Sequence, residues 1–237
     1  MRKTIFGLVL LLWGAGGAFA QDTSTPATSP AATDTTPGSA ATGPAGGTVP
    51  ASGTAAPAAP AAAPAPPSNP PMTGPRLLIQ TAMGDITLQL DKVRAPKTVA
   101  NVLRYVREGH YNGTVVYRVV KGFIIEMGSW DANVKGRPVH KGVKLEAGNG
   151  LSNLRGAVAL AHGDDPNSGT ADFFIDLADN TPLDKDPGFA VFGEVVSGME
   201  VADAISQVPV GDHGPMPGAA PIDPILIKKV SILPPAP

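Results

Sequence analysis

Residues 21–75 restrict the fold most, because this stretch cannot supply a hydrophobic core. The stretch consists almost entirely of Ala, Pro, Thr, Ser and Gly, is charged only at Asp22 and Asp34, and contains no aromatic residue. It buries too little apolar surface to offset the entropy lost when a backbone is ordered. We therefore predict a disordered linker over residues 21–75, whose Ala-Pro part at 55–67 favours extended polyproline II and acts as a spacer. The alternative is that a proline-binding module of a partner recognises this linker.

The first 20 residues have the pattern of a secretory signal peptide. Arg2 and Lys3 precede an apolar run at residues 5–13, and the small-residue motif Ala-Phe-Ala ends at Ala20. The apolar run is much shorter than the roughly 20 residues that span a bilayer, which argues against an uncleaved anchor. The chain has no cysteine for lipid attachment. We predict a periplasmic or secreted protein that begins at Gln21 and has no stable membrane insertion after cleavage.

Composition and motif searches exclude several classes of function for the remaining domain, residues 76–237. The whole chain has 18 Lys and Arg against 20 Asp and Glu, so a basic surface for nucleic acid is not expected. Without cysteine, it has no disulfide, no thiolate metal site and no cysteine nucleophile. No histidine pair at metal-binding spacing, phosphate-binding loop or nucleophile elbow occurs. We expect neither a metal nor another cofactor.

Short apolar segments separated by turns predict a mainly β fold for this domain. Residues 77–90 alternate around a turn at 82–85 and indicate a hairpin. A helix is expected from Pro96 to about Gly109, and a second one after Gly198. Further strands are predicted at residues 115–120, 123–127, 156–161, 173–177, 189–196 and 225–233. About eight strands and two helices favour a closed eight-stranded antiparallel β-barrel capped by two α-helices.

Four segments of this domain occur in the order and spacing of a known family. They are VYRVVKGFIIEMG at 116–128, NLRGAVALA at 153–161, TADFFI at 170–175 and FAVFGEVVSGM at 189–199. Together they resemble the cyclophilins, which are peptidyl-prolyl cis/trans isomerases, and most closely the small secreted bacterial type. The resemblance covers essentially the whole domain. It implies the same eight-stranded barrel with two helices that the strand count predicts.

The resemblance also implies a set of site residues. Arg118 stands at the position of the family's catalytic arginine, which donates to the prolyl nitrogen as amide resonance is lost. Substrate would be bound by Phe123, Ile124, Glu126, Ala161, His162, Asp172, Phe174, Leu183 and Phe189. Without the resemblance, the apolar members of this set would be read as core residues.

Two acidic residues depart from the family pattern. Glu126 and Asp172 each stand where the family usually has a glutamine that orients the arginine and binds the substrate backbone. Two carboxylates there would hold Arg118 in charge-assisted hydrogen bonds, or would favour basic residues beside the substrate proline. Phe189 stands where several relatives carry His or Tyr, so that hydrogen-bonding group is absent.

We therefore predict a monomeric prolyl isomerase that acts on proline-containing, unfolded or partly folded exported polypeptides. The alternative is a proline-peptide binding module or holdase chaperone that keeps the cyclophilin fold but turns over poorly. A third possibility is a linked structural domain with neither activity nor peptide affinity.

Overall fold

The computed structural model describes residues 67–212 and 214–234. The predicted signal peptide and residues 21–66 of the predicted linker lie outside the described residues. Among the residues described, no helix is both long enough and apolar enough to cross a bilayer.

The described chain folds into ten strands and two α-helices. The strands are β1 Arg76–Thr81, β2 Gly84–Leu90, β3 Thr114–Val120, β4 Ile124–Asp131, β5 Ala157–Leu160, β6 Phe173–Asp176, β7 Ala190–Ser197, β8 Val210–Gly211, β9 Ala220–Pro221 and β10 Ile225–Ile232. The helices are α1 Pro96–Arg107 and α2 Met199–Ile205, and a short 3-10 helix covers Thr181–Asp184. The two-residue strands β8 and β9 pair with each other in a small separate sheet, which the sequence did not predict.

Eight of these strands close into an antiparallel barrel in the order β1-β10-β3-β4-β6-β5-β7-β2. The predicted hairpin is confirmed, since β1 pairs with β2 from Arg76 opposite Gln89 to Thr81 opposite Gly84. Closure leaves no unpaired barrel edge, so every barrel strand has a hydrogen-bonded neighbour on each side. The predicted barrel with two helices is therefore confirmed.

Alternation along the strands produces two apolar clusters. Successive strand side chains point to opposite faces, so Phe173 and Ile175 lie in the barrel interior while Phe174 faces outward. The interior also receives apolar side chains from both helices, which cover the barrel. The second set, here called the outer cluster, consists of Ile124, Leu151, Ala157, Ala159, Phe174, Leu183 and Val191. The outer cluster carries the candidate site.

Helix α1 is capped from a distant part of the chain. Pro96 occupies its first turn, where a missing N–H costs nothing, and the helix lacks a side-chain cap from its own N-cap residue. Glu146 supplies the acceptor instead: its carboxylate accepts hydrogen bonds from the backbone N–H of Lys97 at 3.1 Å and of Thr98 at 2.8 Å. The carboxylate also complements the positive end of the helix dipole.

Residues 69–75, here called the docking segment, lie against the barrel although they belong to the predicted linker. The Asn69 amide exchanges two hydrogen bonds with the backbone of Ser152, at 2.9 and 2.8 Å. Met72 packs against the outer cluster, and the Pro75 carbonyl accepts a hydrogen bond from the Leu90 N–H at 3.1 Å. Contacts with the barrel thus begin before the composition changes at Arg76, because one side-chain amide, one apolar side chain and a backbone carbonyl suffice to make them.

Candidate active site

The predicted catalytic residue lies in a row of side chains that crosses adjacent strands. Arg118 on β3 is registered opposite Glu126 on β4, and Glu126 is opposite Phe174 on β6. Phe174 is in turn opposite Ala159 on β5. Residues in register on neighbouring strands lie side by side on one face of a sheet. The barrel therefore places the arginine at the border of the outer cluster.

Arg118 is held by a charge-assisted hydrogen bond. Its Nη1 donates to Oε2 of Glu126 at 3.0 Å, with the two side chains 29% and 7% exposed. Arg118 makes no other side-chain hydrogen bond within the described chain, so most of its N–H groups are available to a ligand. Glu126 thus orients the guanidinium through one hydrogen bond and leaves its other N–H donors unengaged among the described residues, so the expectation that the carboxylates would engage the arginine's donors holds for one N–H group.

Tyr117 holds the other oxygen of this carboxylate. Its hydroxyl donates to Oε1 of Glu126 at 2.6 Å. Burial, together with the nearby Glu126 charge, raises the pKa of Tyr117 well above its usual value, so the hydroxyl stays protonated and remains a donor. Sequence reasoning missed this residue because a buried tyrosine in a strand is also an ordinary core residue.

Asp172 has a different role from the one expected. Its Oδ1 accepts a hydrogen bond from the backbone N–H of Ser129 at 2.7 Å, and no hydrogen bond joins it to Arg118. A side chain at Gly128 would collide with Asp172 and with the Ala171 backbone, so Gly128 permits this close packing. Desolvation is the main reason that the pKa of Asp172 rises to about 7, and the negative charge of Glu126 adds to the rise. Only one of the two carboxylates therefore restrains Arg118.

The predicted proline-binding side chains meet on the outer cluster. Phe174 and Leu183 are buried members of the cluster, and Phe123 and Phe189 pack against it while remaining partly exposed. The Phe174 and Phe189 rings meet nearly edge to face, with centroids 5.4 Å apart and planes at 81°. Ile124 is also a buried member. These side chains form an apolar surface that a proline ring can contact.

Ala161 and His162 border the same surface. The His162 and Phe189 rings stack with centroids 4.5 Å apart, and each imidazole nitrogen faces a backbone carbonyl oxygen, of Gly163 at 2.7 Å and Gly188 at 2.9 Å. The Ala161 N–H donates to the Asp172 carbonyl at 2.9 Å. The structure thus brings all ten predicted site residues to one side of the barrel around strands β3, β4, β5 and β6.

Asn180 organises the loops around this surface and was not predicted. Its side-chain amide donates to the Phe123 carbonyl at 2.9 Å and to Asp176 Oδ1 at 2.7 Å. Its own carbonyl accepts the Leu183 N–H at 2.8 Å. One residue therefore fixes the positions of two residues of the apolar surface. An asparagine before a short helix is too common for the sequence alone to reveal this role.

Two clefts elsewhere on the described chain contain none of the apolar residues of the predicted site. One is lined by residues including Tyr117, Trp130 and Pro215, and the other by residues including Met83, Val208 and Ile225. The candidate active site is instead the outer cluster, because the charged and hydrogen-bonded groups converge there. The size of a cleft alone does not indicate a reaction. Among the described residues, no group of three acidic or histidine side chains is arranged to hold a metal ion.

Comparison with known proteins gives the family. The family described as cyclophilin type peptidyl-prolyl cis-trans isomerase/CLD matches residues 76–232. The chain belongs to the cyclophilin family. Peptidyl-prolyl cis-trans isomerase A of Dickeya dadantii is 44% identical to this cyclophilin over 164 residues, which cover 68% of the chain and 86% of that protein. Peptidyl-prolyl cis-trans isomerase B of Escherichia coli is 40% identical over 158 residues, covering 64% and 96%.

A solved structure of a relative agrees with the barrel. A cyclophilin type peptidyl-prolyl cis-trans isomerase of Cryptosporidium parvum, crystallised in the presence of the dipeptide Ala-Pro, superposes with a TM-score of 0.57 at 25% identity. The match covers 68% of this chain and 99% of that one. The cyclophilin domain is a peptidyl-prolyl cis-trans isomerase, and its barrel is the family's fold.

Proposed function

We propose that this cyclophilin accelerates the isomerisation of X-Pro bonds in incompletely folded proteins exported to the cell envelope. The observation that carries the proposal is the position of Arg118: a partly exposed guanidinium, oriented by Glu126, at the border of an apolar surface lined by Phe174. The reaction breaks no covalent bond and needs no cofactor. Its requirements are a place for the proline ring and a donor for the prolyl nitrogen.

The chemistry follows from amide resonance. Rotation about a peptide bond has a barrier of about 18–20 kcal/mol, because the nitrogen lone pair is delocalised into the carbonyl. In the twisted transition state the lone pair returns to the prolyl nitrogen, which becomes a hydrogen-bond acceptor. An arginine N–H aimed at that nitrogen binds the transition state better than the planar ground state. A reduction of the barrier by about 7 kcal/mol corresponds to roughly a 10⁵-fold rate increase.

Each side of the site supplies one requirement. The apolar surface of Phe123, Phe174, Leu183 and Phe189 would contact the proline ring, since these side chains offer no competing hydrogen bonds. Ala161 and His162 would lie beside the substrate backbone. The Ala-Pro dipeptide present with the Cryptosporidium parvum relative supports a proline-containing ligand for this surface. We expect the enzyme to act as a monomer, because a site built from a single barrel needs no second subunit.

The role in the cell envelope rests on the N-terminal sequence. Arg2 and Lys3, the apolar run at residues 5–13 and the Ala-Phe-Ala motif ending at Ala20 have the order of a cleavable export signal. Proteins entering the envelope are unfolded during export, and slow X-Pro isomerisation, over tens to hundreds of seconds, delays their folding. An exported isomerase would shorten this step.

Two measurements test the proposal. The chain without residues 1–20 should accelerate cis/trans exchange in a neutral X-Pro peptide, and in refolding of a protein limited by a proline bond. In cells, the full-length chain should be found in the envelope fraction with residues 1–20 removed. A variant in which Arg2, Lys3 and two apolar residues of the run are replaced with Asp should remain in the cytoplasm. Tight peptide binding without acceleration would favour the holdase alternative. A chain that stays inside the cell with its first residues intact would contradict the envelope role.

A further inference from the structure

His162 contacts two backbone carbonyl groups at once. Its Nδ1 lies 2.7 Å from the Gly163 oxygen, and its Nε2 lies 2.9 Å from the Gly188 oxygen. Within the described part of the chain, neither oxygen accepts a hydrogen bond from another group. A neutral imidazole carries one N–H donor and one lone pair, whereas the imidazolium carries an N–H on both nitrogens. Because a carbonyl oxygen only accepts, both contacts are hydrogen bonds only when His162 is protonated.

The contact with Gly188 reaches the proline-binding surface. Gly188 is buried and directly precedes Phe189, whose backbone N–H donates to the Leu183 carbonyl at 3.0 Å. The Phe189 ring stacks on the His162 ring, with planes at 24°, and its other contact is the edge-to-face pair with Phe174. A cation beside an aromatic face is attracted to it, so protonation also strengthens the stack. His162 therefore holds both the ring of Phe189 and the backbone that leads into it.

Few other contacts hold the loop that ends at Gly188. Residues 185–187 are exposed, and their one hydrogen bond among the described residues is a long one, from the Lys185 N–H to the Pro182 carbonyl at 3.4 Å. A segment with exposed residues and few hydrogen bonds opens at a low free-energy cost. The position of this loop, and with it that of Phe189, thus depends on the bond that His162 donates.

No neighbouring carboxylate sets the charge of His162. The segments packed against it carry six ionisable side chains, those of Asp164, Asp165, Asp172, Asp184, Lys185 and Asp186. Within the described chain none of them forms an ion pair with the ring, and the Asp172 carboxylate is engaged with the Ser129 N–H. Phe189, on which the ring stacks, is uncharged. The two carbonyl oxygens are therefore the groups that favour the protonated ring.

We propose that His162 is a positioning residue that acts in its protonated form, tying Gly163 to Gly188 and so holding Phe189 in place for the substrate proline. The inference rests on the proposed function, because it concerns how tightly the same surface binds substrate. When the ring loses its proton, one carbonyl group loses its donor and faces a lone pair. The loop then opens for part of the time, and substrate binds only to the molecules in which Phe189 is in place. Bound substrate still meets Arg118, so KM changes and kcat does not.

The test measures KM and kcat for a blocked, uncharged X-Pro peptide between about pH 5 and 8, the range in which an imidazole changes its charge. It uses the chain without residues 1–20 in four forms: unchanged, His162→Phe, His162→Arg and, as the matched control, His140→Gln. Phenylalanine keeps the ring stack without a donor, and arginine keeps a planar cation with donors throughout this range. His140 is also partly exposed, but it pairs with Glu108 outside the site.

In the unchanged protein, KM should rise at least threefold between about pH 5 and 8. His162→Phe should have the higher KM already at the acidic end, His162→Arg should keep the lower KM throughout, and His140→Gln should follow the unchanged protein. Asp172 and Asp176, with pKa values of about 7 and about 8, also change charge in this range, but their effects persist in His162→Phe. A flat KM in the unchanged protein, or the same rise in His162→Phe, would overturn the proposal while leaving the isomerase function intact. Loss of activity from all four proteins at every pH would instead contradict the proposed function.

The coupling between proton and substrate is tested separately by NMR, which needs no turnover. The signals of Nδ1 and Nε2 follow the titration of the His162 ring, with and without saturating peptide. A substrate that prefers the protonated form also stabilises that form, by linkage. For a threefold difference in affinity, the peptide should move the midpoint of the titration upward by about half a pH unit. A midpoint that stays unchanged or moves downward would overturn the proposal.

Discussion

Replacing Glu126 with Gln should raise the isomerase rate on a neutral peptide. The substitution keeps the side-chain shape and gives Arg118 a neutral acceptor in place of a carboxylate. The present pair joins Nη1 of Arg118 to Oε2 of Glu126 at 3.0 Å, in a setting where the carboxylate side chain is only 7% exposed. Removing the negative charge leaves more of the guanidinium field for the lone pair on the substrate nitrogen.

The size of the effect follows from this geometry. Two unit charges 3.0 Å apart interact by about 5 kcal/mol at an effective dielectric constant near 20. Water reaches the guanidinium, which is 29% exposed, and screens most of this energy, while the neutral amide retains part of the hydrogen bond. About 1 kcal/mol therefore remains as extra stabilisation of the transition state. A change of about 1 kcal/mol corresponds to a roughly fivefold increase in kcat/KM.

The assay measures kcat and KM with peptides that carry Ala, Lys or Glu beside the proline. Because both oxygens of Glu126 already accept hydrogen bonds, from Tyr117 and Arg118, we expect the rate on the neutral peptide to change more than the preference for Lys. Glu200→Gln is the matched control, since this exposed residue on α2 loses the same charge outside the site. Unchanged or lower kcat/KM in Glu126→Gln would refute the argument. Loss of a preference for Lys that weakens in salt would show instead that Glu126 selects substrates.

Three further predictions concern positioning and stability. Tyr117→Phe removes the donor to Oε1 of Glu126, so kcat should fall severalfold with little change in KM. In a protein that already carries Glu126→Gln, the same tyrosine substitution should lower kcat less. Burial raises the pKa of Asp176 to about 8, so the folded state binds more protons than the unfolded state between about pH 4 and 8. The free energy of unfolding should therefore fall as the pH rises through this range. Asp176→Asn should make the free energy of unfolding, measured by denaturant titration, depend less on pH. Glu146→Ala removes the acceptor for the Thr98 N–H and should lower the free energy of unfolding by about 1–2 kcal/mol, measured by urea denaturation; no loss would mean that water caps the helix equally well.

The barrel was predictable because its signals are local. Alternating apolar residues at 77–90 on both sides of a turn predict the hairpin that the structure contains, and the apolar spacing after Pro96 predicts α1. The short strands pair in a closed barrel because each has an inward face to bury. In contrast, β8 and β9 have two residues each, too few for a periodic pattern to indicate a strand.

The site residues were predictable from the resemblance to the cyclophilins, but the contact that each one makes was predictable only where strand register sets its partner. Glu126 meets Arg118 because adjacent strands place them opposite each other. Asp172 was expected at the same arginine, but the close approach permitted by Gly128 directs its carboxylate to the Ser129 N–H. The docking of Asn69 on Ser152 joins residues 83 positions apart, and a sequence rich in Pro and Ala carries no signal for such a contact.

The direct test of this account is the isomerase activity of Arg118→Ala, compared with Arg107→Ala as a control that removes an exposed arginine on α1 away from the site. The donor acts in the transition state, so kcat/KM of Arg118→Ala on a neutral X-Pro peptide should fall at least tenfold while its thermal unfolding stays cooperative. The Arg107→Ala protein should keep full activity. A folded Arg118→Ala protein with unchanged kcat/KM would contradict the assignment of this arginine as the catalytic donor.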